Sequence, residues 1–342
     1  MARPVMKKMI TMSNFIPKVN NNSSVPKFLQ LVRSFEDAVK SKLLDVGDML
    51  PSVNELCKEC GLSRDTVFKA YTELKNRKLI ESVPNKGYYV ASATQNVFLF
   101  LDTFKAYKEV LYGAFRNALP SSYNVDVHFH HYNPRVFEDI VLNAIGKYSH
   151  YIIMNFDDKK VKSAVTKIDP SKLLCIDWSI NVPEQCSFLG QDFGDPVYDN
   201  MVLIQERLKK YKKLVFIYPE FTNHPIQTIS AFEAFCVDHH FDYEIIYKVK
   251  DIVVQRGELY FTVSDRVMAK ILDFAQELNY STGTDIGIIS YNETPTKKYI
   301  KEGITVISTD FDKIGTKMAD FIMSGNKIRE FIPTEMILRN SL

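Results

Sequence analysis

The pattern of apolar and polar positions divides the chain into two parts. In the first part, apolar residues recur at helical spacing over residues 27–42, which predicts a helix with one buried face. Ser63 can cap a second helix, and strand patterns follow at residues 79–83 and 87–90, separated by a turn of Pro, Asn and Gly. The buried face of the second helix is predicted to be Val67, Ala70, Tyr71 and Leu74. These elements predict a small helical unit closed by a β-hairpin.

From residue 97 onward, short apolar strands alternate with helical segments to the end of the chain. Helices are predicted, among others, over residues 197–208 and near residues 249–256. Apolar strands separated by helices are typical of parallel sheets covered on both faces. The pattern occurs twice in succession, so it predicts an α/β domain of two lobes with a cleft between them.

Charge distinguishes the same two parts. The chain has 342 residues and a formal net charge of +2, but residues 1–95 contain 15 Lys and Arg against 9 Asp and Glu. The remainder is therefore slightly acidic. A basic first part joined to an acidic second part is typical of a phosphate-binding module attached to a sensor, although an ordinary solvated surface could carry the same charge.

The composition indicates a cytoplasmic protein. No apolar run approaches the length of a membrane span, and the amino terminus lacks the apolar core of an export signal. Residues 1–24 are polar and predict a flexible arm, with Met12 as an alternative start. The five scattered cysteines suit a reducing compartment.

Two clusters invite a metal assignment, and neither is predicted to bind one. Cys57 and Cys60 stand at apolar positions of the helical unit, which favours buried thiols over half of a zinc site. In the cluster of His128, His130 and His131, the first two share one face of a strand, which is ligand-like spacing, but a strand end that reaches solvent explains the same residues. We therefore expect no metal and no cofactor.

Three motifs in fixed order carry a resemblance to a known family. They are LPSVNEL at residues 50–56, GLSRDTVFKAYTEL at residues 61–74 and a wing that contains Gly87, and together they resemble the GntR-type winged helix-turn-helix. The resemblance implies an α+β DNA-binding domain over residues 25–91 and double-stranded operator DNA as a partner. The DNA contacts it implies are Ser52, Asn54, Ser63, Arg64, Asp65, Thr66, Phe68, Lys69, Asn85, Lys86 and Gly87.

Two positions depart from that family. Asn54 stands where the family usually has Arg, and Phe68 stands where it often has Arg. Loss of two guanidinium groups suited to guanine favours sites richer in A and T, with Phe68 against a thymine methyl. The alternative is that Phe68 packs against the wing.

After a short polar linker at residues 92–96, residues 97–342 resemble a second family. Residues 262–295, 304–310 and 335–342 are similar to motifs of the LacI/GalR-type sensor, an α/β domain of the periplasmic-binding-protein-like type I fold. A GntR-type head on such a sensor is the arrangement of the arabinose-repressor-like subfamily. The resemblance implies a ligand held at the carboxyl ends of the strands, in the inter-lobe cleft.

Residues at those strand ends include the types that sugar recognition needs. Asp265 and Asn292 match family positions, but Asn292 replaces an Asp, and an Arg-containing motif is missing near His224. We therefore expect a neutral monosaccharide, with L-arabinose or L-fucose suggested by the subfamily alone. Turn preference explains such Asp and Asn residues equally, and Trp178 could belong to the core. The candidate ligand contacts are Asp102, Phe104, Asn155, Asp157, Trp178, His224, Gln227, Asp265, Asn292 and Glu293.

The sequence thus predicts a homodimeric transcriptional regulator of carbohydrate-utilisation genes that is controlled by a bound sugar. A repressor is favoured over an activator. A regulator that senses a non-sugar metabolite and a scaffold with a vestigial cleft are alternatives. A GntR-headed α/β enzyme is another, although the chain has no GxGxxG, P-loop, GxSxG or HExxH motif.

Overall fold

The computed structural model describes residues 15, 17, 19, 20, 23, 25–83, 87–91 and 95–342. No helix in these segments combines the length and the apolar character that a membrane span requires. By its internal contacts the chain separates into two compact units. The first contains residues 1–103, 119–188 and 321–328, and the second contains residues 104–118, 189–320 and 329–342.

The amino-terminal part of the first unit, called the head below, is a three-helix domain with a small antiparallel sheet. Its helices are α1 (Lys27–Lys40), α2 (Val53–Cys60) and α3 (Arg64–Asn76). Its strands are β1 (Met49–Leu50), β2 (Ile80–Val83) and β3 (Gly87–Val90), in the order β1-β3-β2. The helix-turn-helix and the hairpin predicted from the sequence are confirmed, whereas β1 was not predicted.

Local sequence explains the helix starts in the head. Ser52 and Glu55 form the predicted capping box at α2, in which Ser52 Oγ accepts from the Glu55 amide and the Glu55 carboxylate accepts from the Ser52 amide. These bonds lower the pKa of Glu55. Ser63 caps α3 through the Thr66 amide. The Tyr71 hydroxyl then ties α3 to the α2 entrance by donating to the Pro51 carbonyl at 2.6 Å.

The first six-stranded sheet, which with its helices is called lobe one, follows the head. Its strands are β4 (Gln95–Leu101), β5 (Tyr123–Phe129), β6 (His150–Met154), β7 (Leu173–Asp177), β8 (Ser187–Gly190) and β14 (Arg329–Phe331). The order is β14-β8-β7-β6-β4-β5, and β5, β4, β6 and β7 run parallel. The helices in this stretch are α4 (Ala106–Ala118), which groups with the second unit, α5 (Pro134–Ala144) and α6 (Lys159–Val165).

The second six-stranded sheet forms lobe two. Its strands are β9 (Lys213–Ile217), β10 (Tyr243–Ile246), β11 (Glu258–Thr262), β12 (Gly287–Tyr291), β13 (Thr305–Thr309) and β15 (Thr334–Ile337), in the order β10-β9-β11-β12-β13-β15. All pairs are parallel except β13 with β15. The helices are α7 (Asp195–Leu203), α8 (Gln205–Leu208), α9 (Gln227–Asp238), α10 (Asp265–Glu277) and α11 (Phe311–Ser324). The α/β fold with two parallel sheets is confirmed.

Two predicted helices differ from the structure in detail. The helix predicted near residues 249–256 is only a 3-10 turn at Val249–Asp251, where Val253 is left 63% exposed. The helix predicted over residues 197–208 breaks at Ile204 into α7 and α8. The strand β8 follows a polar stretch and was missed.

The domain limits inferred from the sequence stay predictions, as does the inter-lobe cleft. Phe15 falls within the expected arm, yet its ring packs 5.1 Å from that of Phe35 in the head core. Of the linker, residues 92–94 lie outside the described residues, and β4 begins at Gln95.

Candidate functional site

The amino end of α3 presents an exposed polar surface. Ser63, Arg64 and Asp65 are exposed, and Thr66 is half-buried with its hydroxyl 2.8 Å from that of Ser63. Lys69 forms an ion pair with Asp65 at 2.9 Å, and both side chains are exposed. Such a pair contributes little to stability in water, so Lys69 can exchange its partner for a phosphate.

Phe68 is the apolar member of this surface. Its side chain is 57% exposed on the outer face of α3. With more than half of its surface exposed, the ring is available to a partner outside the chain. Asn54 is exposed on α2, Ser52 is occupied by its capping bond, and Gly87 begins β3 with a φ of 105°. Asn85 and Lys86 lie outside the described residues.

In lobe one, Asp102 lies at the carboxyl end of β4 and is buried. Its Oδ2 accepts from the Tyr132 hydroxyl at 2.5 Å, and its Oδ1 accepts from the Thr103 amide at 2.7 Å. Both carboxylate oxygens are therefore engaged inside the lobe. The structure gives Asp102 a role in holding the strand end.

Asn155, at the carboxyl end of β6, behaves differently. Its amide nitrogen donates to the Ile180 carbonyl, whereas its Oδ1 is buried with no hydrogen-bond partner among the described residues. Asp157 is exposed and accepts from Asn181 at 3.3 Å. Trp178 is half-buried directly after Asp177, which adopts a φ of 78° at the end of β7. Of the four candidates in this lobe, Asn155 has the clearest unsatisfied polar atom.

Lobe two brings Asp265 and Asn292 together around a lysine that the sequence did not single out. Lys297 is 1% exposed, and its ammonium contacts Asp265 Oδ1 at 2.8 Å, the Tyr291 carbonyl at 3.1 Å and the Asn292 carbonyl at 2.6 Å. These three acceptors match the three donors of an ammonium. Burial lowers the pKa of Lys297, an effect that Asp265 opposes. Lys297 thus fixes Asp265 and the Asn292 turn with no proton left over.

Asn292 presents an acceptor beside that lysine. Its φ of 62° is left-handed, a conformation that asparagine tolerates well. Its Oδ1 is buried and has no hydrogen-bond partner in the described part of the chain, as is true of Ser290 Oγ on β12. An unpaired buried amide oxygen costs free energy unless a donor reaches it, which makes Asn292 the strongest candidate ligand contact in lobe two.

His224 precedes α9 and is held in one tautomer. Thr228 Oγ1 donates its proton to the Phe193 carbonyl at 3.0 Å, so at its 2.7 Å contact with His224 Nε2 the hydroxyl must accept. Nε2 therefore carries the proton and Nδ1 is an acceptor. Nδ1 has no hydrogen-bond partner among the described residues. Burial, with a smaller effect of Lys105, lowers the pKa of His224 to about 3, so the ring is neutral near pH 7.

The remaining candidates in the second unit are less suited to a ligand. Phe104 is 82% exposed, and Gln227 is exposed at the start of α9. Glu293 is occupied by the Thr294 amide and by Arg339. It also lines a cavity of about 530 Å³ within lobe two, together with Lys298 and Ser308. That cavity is not lined by the acceptors of Asp265, Asn292 and His224.

His130 corrects an interpretation from the sequence. It is fully buried, not at a solvent-reaching strand end, because its ring packs between Phe100, Phe137 and Phe156. Its Nε2 lies 3.0 Å from the Met154 carbonyl, and its Nδ1 accepts from the Tyr132 amide at 3.1 Å. Cys57 and Cys60 are free thiols, half-buried where buried ones were expected.

Comparison with known proteins identifies the head. Residues 29–90 match the model of the gntR family of bacterial regulatory proteins. The HTH-type transcriptional repressor YtrA of Bacillus subtilis (strain 168) is 31% identical over 74 residues, which is 22% of this chain and 57% of that protein. The regulator YcxD of the same organism is 39% identical over 64 residues, 19% of this chain and 14% of YcxD. The chain thus spans less than two thirds of either relative.

Solved structures match the two lobes. A LacI family transcriptional regulator from Silicibacter pomeroyi aligns with a TM-score of 0.62 at 12% identity, covering 72% of this chain and 98% of the other. The trehalose repressor from Escherichia coli aligns at 0.58 and 11%, covering 72% and 100%, and the CelR–cellobiose complex at 0.60 and 12%, covering 85% and 100%. At such identities the likeness establishes the fold. The chain therefore joins a gntR-type head to the α/β fold of LacI-type regulators, and the matched proteins are transcription regulators.

Proposed function

We propose that this protein is a transcriptional regulator whose gntR-type head binds operator DNA and whose LacI-like domain responds to a small neutral sugar. The exposed amino end of α3 supports the first part, since helix N-termini and their side chains contact phosphates and base edges. One observation carries the second part. In lobe two, the buried Asn292 Oδ1 has no donor among the described residues, and His224 Nδ1 and the half-exposed Asp265 carboxylate offer further acceptors.

The chemistry of these groups favours a ligand that donates hydrogen bonds. Sugar hydroxyls can donate to an amide oxygen, an imidazole nitrogen and a carboxylate at once. An anion such as a sugar phosphate needs cationic donors, and the three protons of Lys297 are already bound to Asp265 and two carbonyls. Asn155 Oδ1 in lobe one offers the same kind of acceptor. A neutral polyol therefore fits better than a phosphate ester.

The identity of the sugar is a finer proposal. L-arabinose and L-fucose are the first choices, from the resemblance to the arabinose-repressor-like subfamily. Among structural neighbours, CelR is described with cellobiose and a LacI family regulator from Arthrobacter with lactose. The monosaccharides remain the preferred ligands because of the subfamily resemblance.

The proposed mechanism is a population shift. A sugar that binds one conformation of the effector domain more tightly than another changes operator affinity by the same differential free energy. We further propose a homodimer on a palindromic operator, because paired heads read paired half-sites. We expect the sugar to weaken operator binding and so to relieve repression.

The decisive experiment is thermal unfolding of the full chain against neutral sugars and their phosphates. A ligand present at about one hundred times its dissociation constant should add roughly 2.7 kcal/mol to the free energy of unfolding. We expect a shift with one neutral sugar and none with its phosphate. Asn292→Asp should keep the shift, because its carboxylate still offers an acceptor at this position although it adds a charge. No shift with any sugar in folded protein would refute the proposal for the effector domain.

Operator binding is tested separately by exchanging exposed aromatic residues. Phe68→Ala should change base preference more than total affinity if the ring contacts a thymine methyl. Phe221→Ala removes an equally exposed ring, 56% against 57%, from lobe two and serves as the matched control. Lys86→Ala should weaken all sequences alike and reduce the salt dependence of binding. Equal losses on every DNA for Phe68→Ala and Lys86→Ala would contradict this division.

A further inference from the structure

The sheet of the head has two faces with different partners. Leu50, Tyr88 and Val90 face the head core, where the Tyr88 ring lies 4.4 Å from that of Tyr71 on α3. Strand alternation turns Tyr89 to the other side. There Met49 and Glu81 are its cross-strand partners, so the three residues form one row across the sheet. We call this row the outer face of the wing sheet.

The outer face is buried against lobe one. Tyr89 is 4% exposed and belongs to the hydrophobic core of that lobe, with Phe98 and Tyr151, and Met49 packs at its edge. A tyrosine buried in the core of the neighbouring domain would be exposed if the head moved freely on its linker. Its burial opposes such freedom, because separating the two surfaces would return the ring to water.

Gly146 of lobe one fits the Tyr89 side chain closely. Its φ is 85°, and a Cβ there would lie 3.0 Å from the Cβ of Tyr89 and 3.2 Å from its Cγ. The amide of Gly146 is held by the Tyr151 hydroxyl at 3.0 Å, so the turn cannot shift without breaking that bond. Only glycine satisfies both the left-handed backbone and the closeness of the ring.

An ion pair extends the same contact. Lys172 of lobe one meets Glu81 at 2.7 Å, and the Glu81 side chain is only 11% exposed. Burial raises the pKa of Glu81, and Lys172 opposes that shift. On the far side, Lys147 lies along the turn at Gly47, where an added Cβ would come within 2.9 Å of the lysine Cγ. Apolar, ionic and shape contacts therefore line the whole outer face.

We propose that the outer face of the wing sheet docks the head rigidly on lobe one, so that the head and lobe one move as a single body. Tyr88 and Tyr89, adjacent in sequence, then link the recognition helix α3 to the effector domain. A rearrangement of lobe one then carries α3 with it. The docking itself is independent of ligand and DNA, whereas its use in signalling rests on the proposed function.

Hydrogen exchange of the full-length chain tests the docking without DNA or sugar. Gly146→Ala should displace Tyr89 and speed amide exchange in head residues 45–50 and 79–83 by roughly tenfold, because local opening controls exchange. Gly257→Ala is the matched control, since Gly257 has a similar φ of 81° but only the Lys212 side chain near its Cβ position, at 3.6 Å. The control should leave exchange in the head unchanged.

A second variant covers the case in which Gly146→Ala unfolds lobe one. Tyr89→Ala, made in the head, should speed exchange in residues 144–151 of lobe one, and Tyr89→Phe should not. Unchanged exchange across the interface in both Gly146→Ala and Tyr89→Ala would overturn the docking. This result does not depend on whether a sugar binds.

The proposed role of the docked head in signalling is tested by titrating operator DNA with and without the sugar that raises the thermal stability of the chain. Gly146→Ala should keep operator affinity in the absence of sugar within about threefold, while the response to sugar falls at least about tenfold. An intact response in a variant with an undocked head would refute coupling through the docked face and leave the proposed function standing.

Discussion

Two histidines, the fully buried His130 in lobe one and the half-buried His224 in lobe two, differ in what their second ring nitrogen does. His130 and His224 both have aromatic neighbours and an Nε2 in contact with a protein oxygen. In His130 the Nδ1 also accepts a protein hydrogen bond, from the Tyr132 amide. In His224 the Nδ1 has no hydrogen-bond partner in the described part of the chain. Both ring nitrogens of His130 are thus bonded within its own lobe, whereas His224 retains Nδ1 as an acceptor for another group.

The contrast separates a core residue from a binding residue more clearly than burial does. A ring nitrogen that is already bonded inside the protein cannot bind a ligand as well, whereas one without a protein partner is available to a ligand or a water. His130 stabilises the fold, and His224 is expected to contribute to recognition.

Replacing His130 should cost the most stability. His130→Leu leaves the Met154 carbonyl without its donor and the Tyr132 amide without its acceptor, and we expect a loss of about 3 to 5 kcal/mol in the free energy of unfolding. Denaturant unfolding followed by the emission of Trp178, which lies in the same lobe, measures it. His128→Leu, on the neighbouring strand position, should cost less than about 1 kcal/mol. Equal losses of unfolding free energy in the two variants would show that His130 contributes no more to stability than His128.

Replacing His224 should reduce effector affinity, in contrast to the loss of stability expected for His130. His224→Ala removes the Nδ1 acceptor, so effector affinity should fall roughly tenfold, the value of one net hydrogen bond. Isothermal titration with the identified sugar measures this affinity. His240→Asn, which changes an exposed histidine with a φ of 58° in the same lobe, is the control and should bind normally. Unchanged affinity in His224→Ala would place the ring outside the site.

Thr228 tests the tautomer directly. Thr228→Val keeps the shape of this fully buried side chain but removes the hydroxyl that accepts from Nε2 and donates to Phe193. Without that acceptor the proton can move to Nδ1, which turns the acceptor into a donor. Effector affinity should fall by roughly threefold, less than in His224→Ala. A larger loss than in His224→Ala would mean that Thr228 acts by another route.

The smallest expected effect is that of pH on affinity. The pKa of His224 is lowered to about 3, so Nδ1 should stay an acceptor and effector affinity should be flat from about pH 8 to about pH 5.

The free energy of unfolding should depend on pH, unlike the affinity. Below its ordinary pKa of about 6.5 the unfolded chain binds a proton that the folded ring refuses, so folding weakens as the pH falls toward 3.

The stability effect is separated from that of His150, whose pKa burial lowers to about 4. His224→Gln cannot take up the proton and should flatten part of the slope of unfolding free energy between about pH 6.5 and about pH 4. A wild-type slope retained in His224→Gln would assign the whole effect to other groups.

The sequence predicted what depends on local pattern. Capping by Ser52 and Ser63, the buried face of α3 and the parallel strands follow from spacing and residue type, and the structure confirms them. The 3-10 turn at Val249–Asp251 shows the limit, since Val249, Ile252 and Val253 have helical spacing but lie in a segment that forms only one short turn.

The site was predicted less completely because its polar groups are defined by long-range partners. Lys297 lies in the polar run TPTKK, where nothing distinguishes it from exposed Lys298, yet only Lys297 is buried beneath Asp265. Asp102 looked equally suited to a ligand until its oxygens proved to be bonded within lobe one. Burial and bonding of this kind cannot be inferred from neighbours in sequence.

The fit between Tyr89 and Gly146 bears on how such proteins recombine. If the head is docked through that contact, it is not an interchangeable cassette. A gene fusion that moves it onto another sensor would transfer the recognition helix but leave behind the glycine turn that seats the wing. The two halves of this chain would then have to diverge together, residue against residue, across the boundary that separates them in the sequence.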